Sequence, residues 1–128
     1  MTDFAALPDR LRKIAGRKHV LTRDAQTRRY ATGYRFGSGP VLAVVRPGSL
    51  VEQWRVAQAC VEAGVILIFQ AANTGLTGGS TPNGVYDRPV VIINTSRING
   101  IHLINGGRQV VCLAGSTLYD LERKLGSV

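Results

Sequence analysis

The stretch VLAVVRPGSLVEQWRVAQACVEAGVILIFQAANTGLTGGS, residues 41–80, holds a strand, a helix, a second strand and a small-residue loop in immediate succession. Val41 to Val45 is a compact apolar run bounded by Pro40 and Pro47, the pattern of a buried strand. Ser49 and Glu52 have capping-box spacing, in which each side chain satisfies a backbone N–H of the first turn. Leu50, Trp54, Ala57 and Val61 recur on one helical face, which predicts a core-facing stripe with Trp54 inside it. Gly64 supplies a left-handed stop, and Val65 to Phe69 is a second β-rich run. A strand, helix and strand within this length predict a βαβ crossover that leaves its two parallel strands adjacent.

Outward from this unit the patterns are simpler. Upstream, Phe4, Leu7, Leu11 and Ile14 recur at helical spacing from Asp3 to Ala15, with Gly16 as the stop. Thr22 to Gly39 is polar and basic; its beginning suits a helix, while Gly33, Gly37, Gly39 and Pro40 make its second half a loop. Downstream, Val90 to Asn94 reads as a third strand. Ile101 to Ile104 and Gln109 to Leu113 pair as a hairpin around Asn105-Gly106-Gly107-Arg108. Thr117 and Asp120 open a last short helix carrying Leu118, Leu121 and Leu125. The whole is an α+β chain, divided into a helical, basic segment at 1–40 and a sheet-forming unit at 41–128.

With 128 residues, 45% hydrophobic and 19% charged, the chain is one globular unit able to bury a core. Its net charge of +8 and pI near 10.3 imply an anionic partner: nucleic acid, an acidic membrane surface or phosphate groups. Nine of the sixteen basic residues fall between Arg10 and Arg35, interleaved toward the end with Tyr30, Tyr34 and Phe36. That mixture suits single-stranded nucleic acid, but its spacing matches no RNA-recognition signature, and a solvated basic face ranks above it. The start MTDFAALPDRLRKIAG carries acidic residues and no continuous apolar core, so no secretory signal is expected. The longest apolar runs are far shorter than the roughly 20 residues that span a bilayer. A soluble or peripheral protein is expected. Cys60 and Cys112 sit in apolar stretches without a metal-ligand pattern and read as buried, inert thiols, so no metal site is assigned. His19 and His102 lack motif partners and read as structural, His102 on the solvated face of its strand. Glu52 and Asp120 are explained as helix-start residues, and Asp87-Arg88 as a surface turn.

Chemistry concentrates in Gln70-Ala-Ala-Asn-Thr-Gly-Leu-Thr-Gly-Gly-Ser80, directly after a predicted strand. Small residues allow a ligand close to the backbone, successive N–H groups can converge into an anion-binding nest, and Thr74, Thr77 and Ser80 add hydroxyls. With no charged side chain present, a diphosphate held by backbone dipoles suits the loop. It lacks the lysine of a phosphate-binding P-loop. The spacing of Gly75, Gly78 and Gly79 is not that of a Rossmann turn, and Pro82 opposes a following helix. On residues alone, an ordinary flexible connection ranks ahead of the phosphate site as a reading.

The ordered set VLAVVRPGSL (41–50), AANTGLTGGSTPNG (71–84), VVIINTSRI (90–98) and CLAGSTLYDLE (112–122) resembles the first half of the FAD-binding domain of vanillyl-alcohol-oxidase (PCMH) type flavoenzymes. Within that superfamily it looks most like the respiratory, quinone-dependent FAD D-lactate dehydrogenases of bacteria, from about His19 to Leu125. The resemblance implies the N-terminal half of a PCMH-type domain: a mixed sheet with a βαβ unit and flanking helices. It implies noncovalent FAD, with the diphosphate and nearby ribose held at Ala71, Ala72, Asn73, Thr74, Gly75, Gly79 and Ser80, because no histidine stands at the loop for covalent attachment. Gly115 and Ser116, at a strand-to-helix turn, are a weaker candidate for approach to flavin. The implied reaction is oxidation of D-lactate, or a similar 2-hydroxy acid, by hydride transfer to flavin, with electrons passing to quinone; the implied location is the cytoplasm or, peripherally, the cytoplasmic face of the inner membrane. The relatives are much longer. The remainder of the FAD domain and the substrate-capping domain have no counterpart in these residues, so no catalytic residue is assigned and the isolated chain is expected to be inactive.

Overall fold

The computed structural model describes residues 4–126, in which three helices pack on a four-stranded mixed sheet, and a separate hairpin and a fourth helix follow. The predicted α+β class is the observed one. Asp3 lies outside the described residues; a single 3-10 turn, Phe4–Ala6, leads into α1, Leu7–Ala15, which ends at Gly16. Strand β1 is Val20–Leu21, and α2, Asp24–Ala31, occupies the beginning of the basic stretch. Strand β2, Ala43–Val45, leads to α3, Leu50–Ala63, and then to β3, Ile66–Gln70. The 71–84 loop contains no regular element and is followed by β4, Val90–Asn94.

The sheet order is β1-β2-β4-β3, with β1 antiparallel to β2 and the other neighbours parallel. The expected adjacency of β2 and β3 is therefore wrong, although their parallel sense is right. Strand β4, Val-Val-Ile-Ile-Asn, is buried along all five residues and takes the central position between them. Its continuous apolar run has no solvated face to offer, so burial is greatest where strands flank both edges and helices cover both faces. A 14-residue helix is about 21 Å long, enough for the β2–α3–β3 connection to pass over the intervening strand.

One face of the sheet packs under α1 and α3. Leu7, Leu11 and Ala15 meet Val56, Ala59 and Cys60 over Ala43, Val45, Val91 and Ile93. On the other face Ala31 of α2 covers Val44 and Ile92. Helix α3 carries two apolar stripes, and the structure buries the one that sequence reading passed over. Val56, Ala59 and Cys60 face inward, whereas Leu50, Trp54 and Val61 are 57%, 63% and 69% exposed. Trp54 is thus a surface residue. Small side chains at positions 59 and 60 let α1, α3 and the sheet approach closely, where an indole would not fit.

The caps follow local chemistry. Ser49 Oγ accepts from Glu52 N–H at 3.2 Å, while the Glu52 carboxylate accepts from Gly48 N–H at 3.3 Å, one residue before the reciprocal partner expected. Gly64 adopts φ 80° and ψ 18°, and its N–H donates back to Cys60 and Val61 carbonyls. Beyond residue 99, β5 (Ile101–Ile104) and β6 (Gln109–Cys112) form the predicted hairpin, turning through positive φ at Asn105, Gly106 and Gly107. Helix α4, Leu118–Gly126, is capped by Thr117 Oγ1 accepting from Asp120 N–H at 3.1 Å. His102 is exposed as expected, as are Asp87 and Arg88.

Cys112 departs from its expected burial, because the hairpin stands alone and all of β6 is exposed. Cys60 is buried, and desolvation pushes its thiol up to about 12, offset in part by Arg10. A chromogenic thiol reagent at mildly alkaline pH is therefore expected to titrate one cysteine in the native chain, Cys112. The second should react only after denaturant unfolds the core; rapid reaction of both in native conditions contradicts this packing.

Candidate functional site

The parallel strands β2, β4 and β3 end at the same edge of the sheet, and an open cleft of about 510 Å³ lies there. Ligands of open parallel sheets commonly bind beyond the carboxyl ends of the strands. Arg46 follows β2, Gln70 closes β3, and Asn94 with Ser96 closes β4; Ala71, Ala72 and Asn73 form one wall. The opposite wall comes from the end of α2 and its following loop, with Arg29, Tyr30, Thr32 and Tyr34.

Two buried amides hold these parts together. Gln70 Nε2 donates to the carbonyls of Tyr30 at 2.7 Å and Ser80 at 2.9 Å, and its Oε1 accepts from Asn94 Nδ2 at 2.9 Å. The Asn94 amide also reaches the Ala71 carbonyl at 3.2 Å, while its Oδ1 accepts from the N–H and hydroxyl of Ser96. Asn73 adopts φ 57°, a left-handed conformation that asparagine tolerates better than most residues. Its Nδ2 donates to the Thr32 carbonyl at 2.9 Å, and Ser80 Oγ donates to Asn73 Oδ1 at 2.8 Å. The side chains of Asn73 and Ser80 thus build the loop, leaving its backbone N–H groups as the donors free for a ligand. From Ala72 to Ser80 none of those N–H groups meets an acceptor among the described residues.

Of the seven residues singled out in the sequence, Ala71, Ala72 and Asn73 line the cleft. Thr74, Gly75 and Gly79 stand on the exposed part of the loop beyond it, and Ser80 returns to bond Asn73. Sequence reading missed Arg46, Asn94 and Ser96. A signal existed: the apolar run at 90–93 turns abruptly to Asn94-Thr95-Ser96. Gly115 is required by packing. A Cβ there would stand 2.0 Å from the Thr95 carbonyl oxygen, so the glycine permits backbone contact between two segments of the chain. Ser116 Oγ bonds both N–H and carbonyl of Gly100 at 3.0 Å, which accounts for its side chain.

The electrostatics of the cleft are one-sided. Among the described residues, Arg29 and Arg46 line it and no carboxylate does. His19 Nδ1 lies 3.2 Å from Arg46 Nη2. Burial, followed by the charges of Arg97, Arg46 and Lys18, lowers the pKa of that imidazole from its ordinary value and favours the neutral ring, which can accept the bond. Arg97 donates to the Arg46 carbonyl at 2.7 Å and lies against Gly48.

Residues 41–127 match the FAD binding domain family. The chain belongs to that family. FAD is accordingly its cofactor, and the residues present fit it: an uncharged loop with uncommitted N–H donors, two arginines without a facing carboxylate, and a buried Arg46 Nε that no protein group satisfies. The chain is 57% identical over 93% of its length to a quinone-dependent D-lactate dehydrogenase of Haemophilus influenzae. It is 54% identical over 97% of its length to the enzyme of the same description from Escherichia coli. It spans about a fifth of those relatives, 21% and 22% respectively. Among solved structures, p-cresol methylhydroxylase superposes with a TM-score of 0.75 at 19% identity, covering 96% of this chain and 25% of that one. The fold is thus of the PCMH type that the sequence resemblance implied. No helix among the described residues is long and apolar enough to cross a membrane.

Proposed function

We propose that this chain forms the diphosphate-holding part of a quinone-dependent D-lactate dehydrogenase. The observation that carries the reading is the 71–80 loop, set at the carboxyl ends of parallel strands with its N–H groups uncommitted, in a chain 54% to 57% identical to enzymes of that description. Ala71, Ala72, Asn73, Thr74, Gly75, Gly79 and Ser80 hold the FAD diphosphate and ribose noncovalently, chiefly through main-chain donors. Gln70 and Asn94 keep the loop in place, and the unopposed arginines of the cleft favour an anion. Bound FAD supplies the hydride acceptor for oxidation of D-lactate to pyruvate and the route of electrons to quinone. Residues 41–128 are the FAD-binding unit, completed by β1 at one edge of its sheet and α1 over one face, and the complete protein works as a peripheral protein at the cytoplasmic face of the inner membrane.

Gly75 and Gly79 provide a clean test. Neither has a positive φ; a Cβ at Gly75 meets nothing within 4 Å, and at Gly79 only Thr77 Oγ1 at 3.9 Å. Valine at both positions is expected to leave stability within about 0.5 kcal/mol. In the complete flavoprotein it should nonetheless abolish flavin retention on desalting, and with it D-lactate-dependent quinone reduction. Unchanged flavin content in the double variant rejects the loop as the cofactor site. Flavin that is retained by the parent protein but not reduced by D-lactate rejects the substrate.

A further inference from the structure

We propose that Arg46 is the cation that anchors the FAD diphosphate, acting with the main-chain donors of the 71–80 loop. The inference deepens the reading above and rests on FAD binding, not on the choice of substrate. Arg46 leaves β2 at the carboxyl edge of the sheet and lines the same cleft as Ala71, Ala72 and Asn73. Its guanidinium is held on one side only, by the contact between Nη2 and the neutral His19 ring. Its Nε is buried without an acceptor, and no ion pair among the described residues includes it. A buried guanidinium N–H left unsatisfied is costly, and an anion entering the cleft would supply the missing oxygen. Arginine suits phosphate oxygens because its planar donors are fixed in direction and always charged.

Other features explain why this cation stays available. Arg97 also lies beside Arg46, but Nη1 of that residue is committed to the Arg46 carbonyl. Glu52, the acid beside this cluster, accepts from Gly48 N–H at the start of α3. His19 then acts as a positioning residue: it orients Arg46 without neutralising it.

The test uses the complete flavoprotein stripped of flavin, titrated with FAD and separately with riboflavin, which lacks phosphate. Arg46→Gln is expected to weaken FAD binding about tenfold or more, the size of a lost charged hydrogen bond, and to leave riboflavin binding unchanged. Arg46→Lys should recover part of the FAD affinity. FAD affinity in the glutamine variant within twofold of the parent overturns the proposal. So does an equal loss for riboflavin, which would mean a purely structural role. Failure of the parent to bind FAD would overturn both this inference and the proposed function, whereas FAD binding without reduction by D-lactate would remove only the substrate. Should Arg46→Gln not fold, modification of the parent by a guanidine-directed dicarbonyl, read by mass spectrometry, decides. Protection of Arg46 by FAD but not by riboflavin supports the assignment, and equal modification in both overturns it.

Discussion

Replacing Gln70 by leucine is expected to destabilise the chain by about 3 kcal/mol, taking roughly 1 kcal/mol for each of its three side-chain hydrogen bonds. Gln70 is 2% exposed, and its amide joins three segments: Tyr30 at the end of α2, Ser80 in the loop, and Asn94 at the end of β4. Leucine preserves much of the volume but leaves two carbonyls without their donor and removes one of the acceptors of Asn94. The remaining bond from Asn94 to the Ala71 carbonyl cannot hold the far side of the loop at Ser80. Urea unfolding should show a lowered midpoint, and limited proteolysis should find the 71–84 loop cut earlier than in the parent. A change below about 1 kcal/mol would mean that water replaces the lost bonds, and that the amide network does not hold the loop.

Gly115→Ala is expected to cost about 1–3 kcal/mol, the range for overpacking a fitted contact. The added Cβ would lie 2.0 Å from the Thr95 oxygen, 2.7 Å from the Ile98 oxygen and 3.0 Å from the Ser96 carbonyl carbon. All three are backbone atoms, so no side chain can swing aside. The bond from Gly115 N–H to the Ile98 carbonyl, 2.7 Å, would have to lengthen or break. Together with Leu113 N–H to Gly100 O and the two bonds of Ser116 Oγ, it ties the end of the hairpin and the start of α4 to the segment that follows β4. Since β6 is exposed throughout and α4 has no buried residue, few other contacts hold this part in place. Amide hydrogen exchange should therefore rise first over residues 101–126, with β4 still protected. Unchanged exchange there would show that the close approach at Gly115 is dispensable.

Both substitutions concern residues whose importance depends on distant parts of the chain, and the same division runs through the fold. The cap at Ser49, the stop at Gly64, the turn at Asn105–Arg108 and the helix start at Thr117 were legible because each is decided by bonds among residues within a few positions. Strand β4 was legible from its unbroken apolar run, and the 71–80 loop from its lack of bulk and charge. The buried stripe of α3 was not. Both stripes are apolar, and close packing against α1 and the sheet selected the one with small residues. Cys112 shows the converse, an apolar strand that remains exposed because no second layer covers it.

The candidate site divides in the same way. Ala71 to Ser80 could be singled out because an anion-binding loop is a local arrangement of small residues and N–H groups. Arg46 joins it from upstream and Asn94 and Ser96 from downstream, through a strand order that no local pattern specifies. The amino-acid sequence by itself determined the elements other than the short β1, which lies in the stretch read as helical and basic, together with the caps and the character of the loop, since backbone hydrogen bonding and side-chain size act over a few residues. Only the tertiary structure decided the insertion of β4 between β2 and β3, the inward face of α3 and the arginines that meet at the cleft, because burial is shared among segments far apart in the chain.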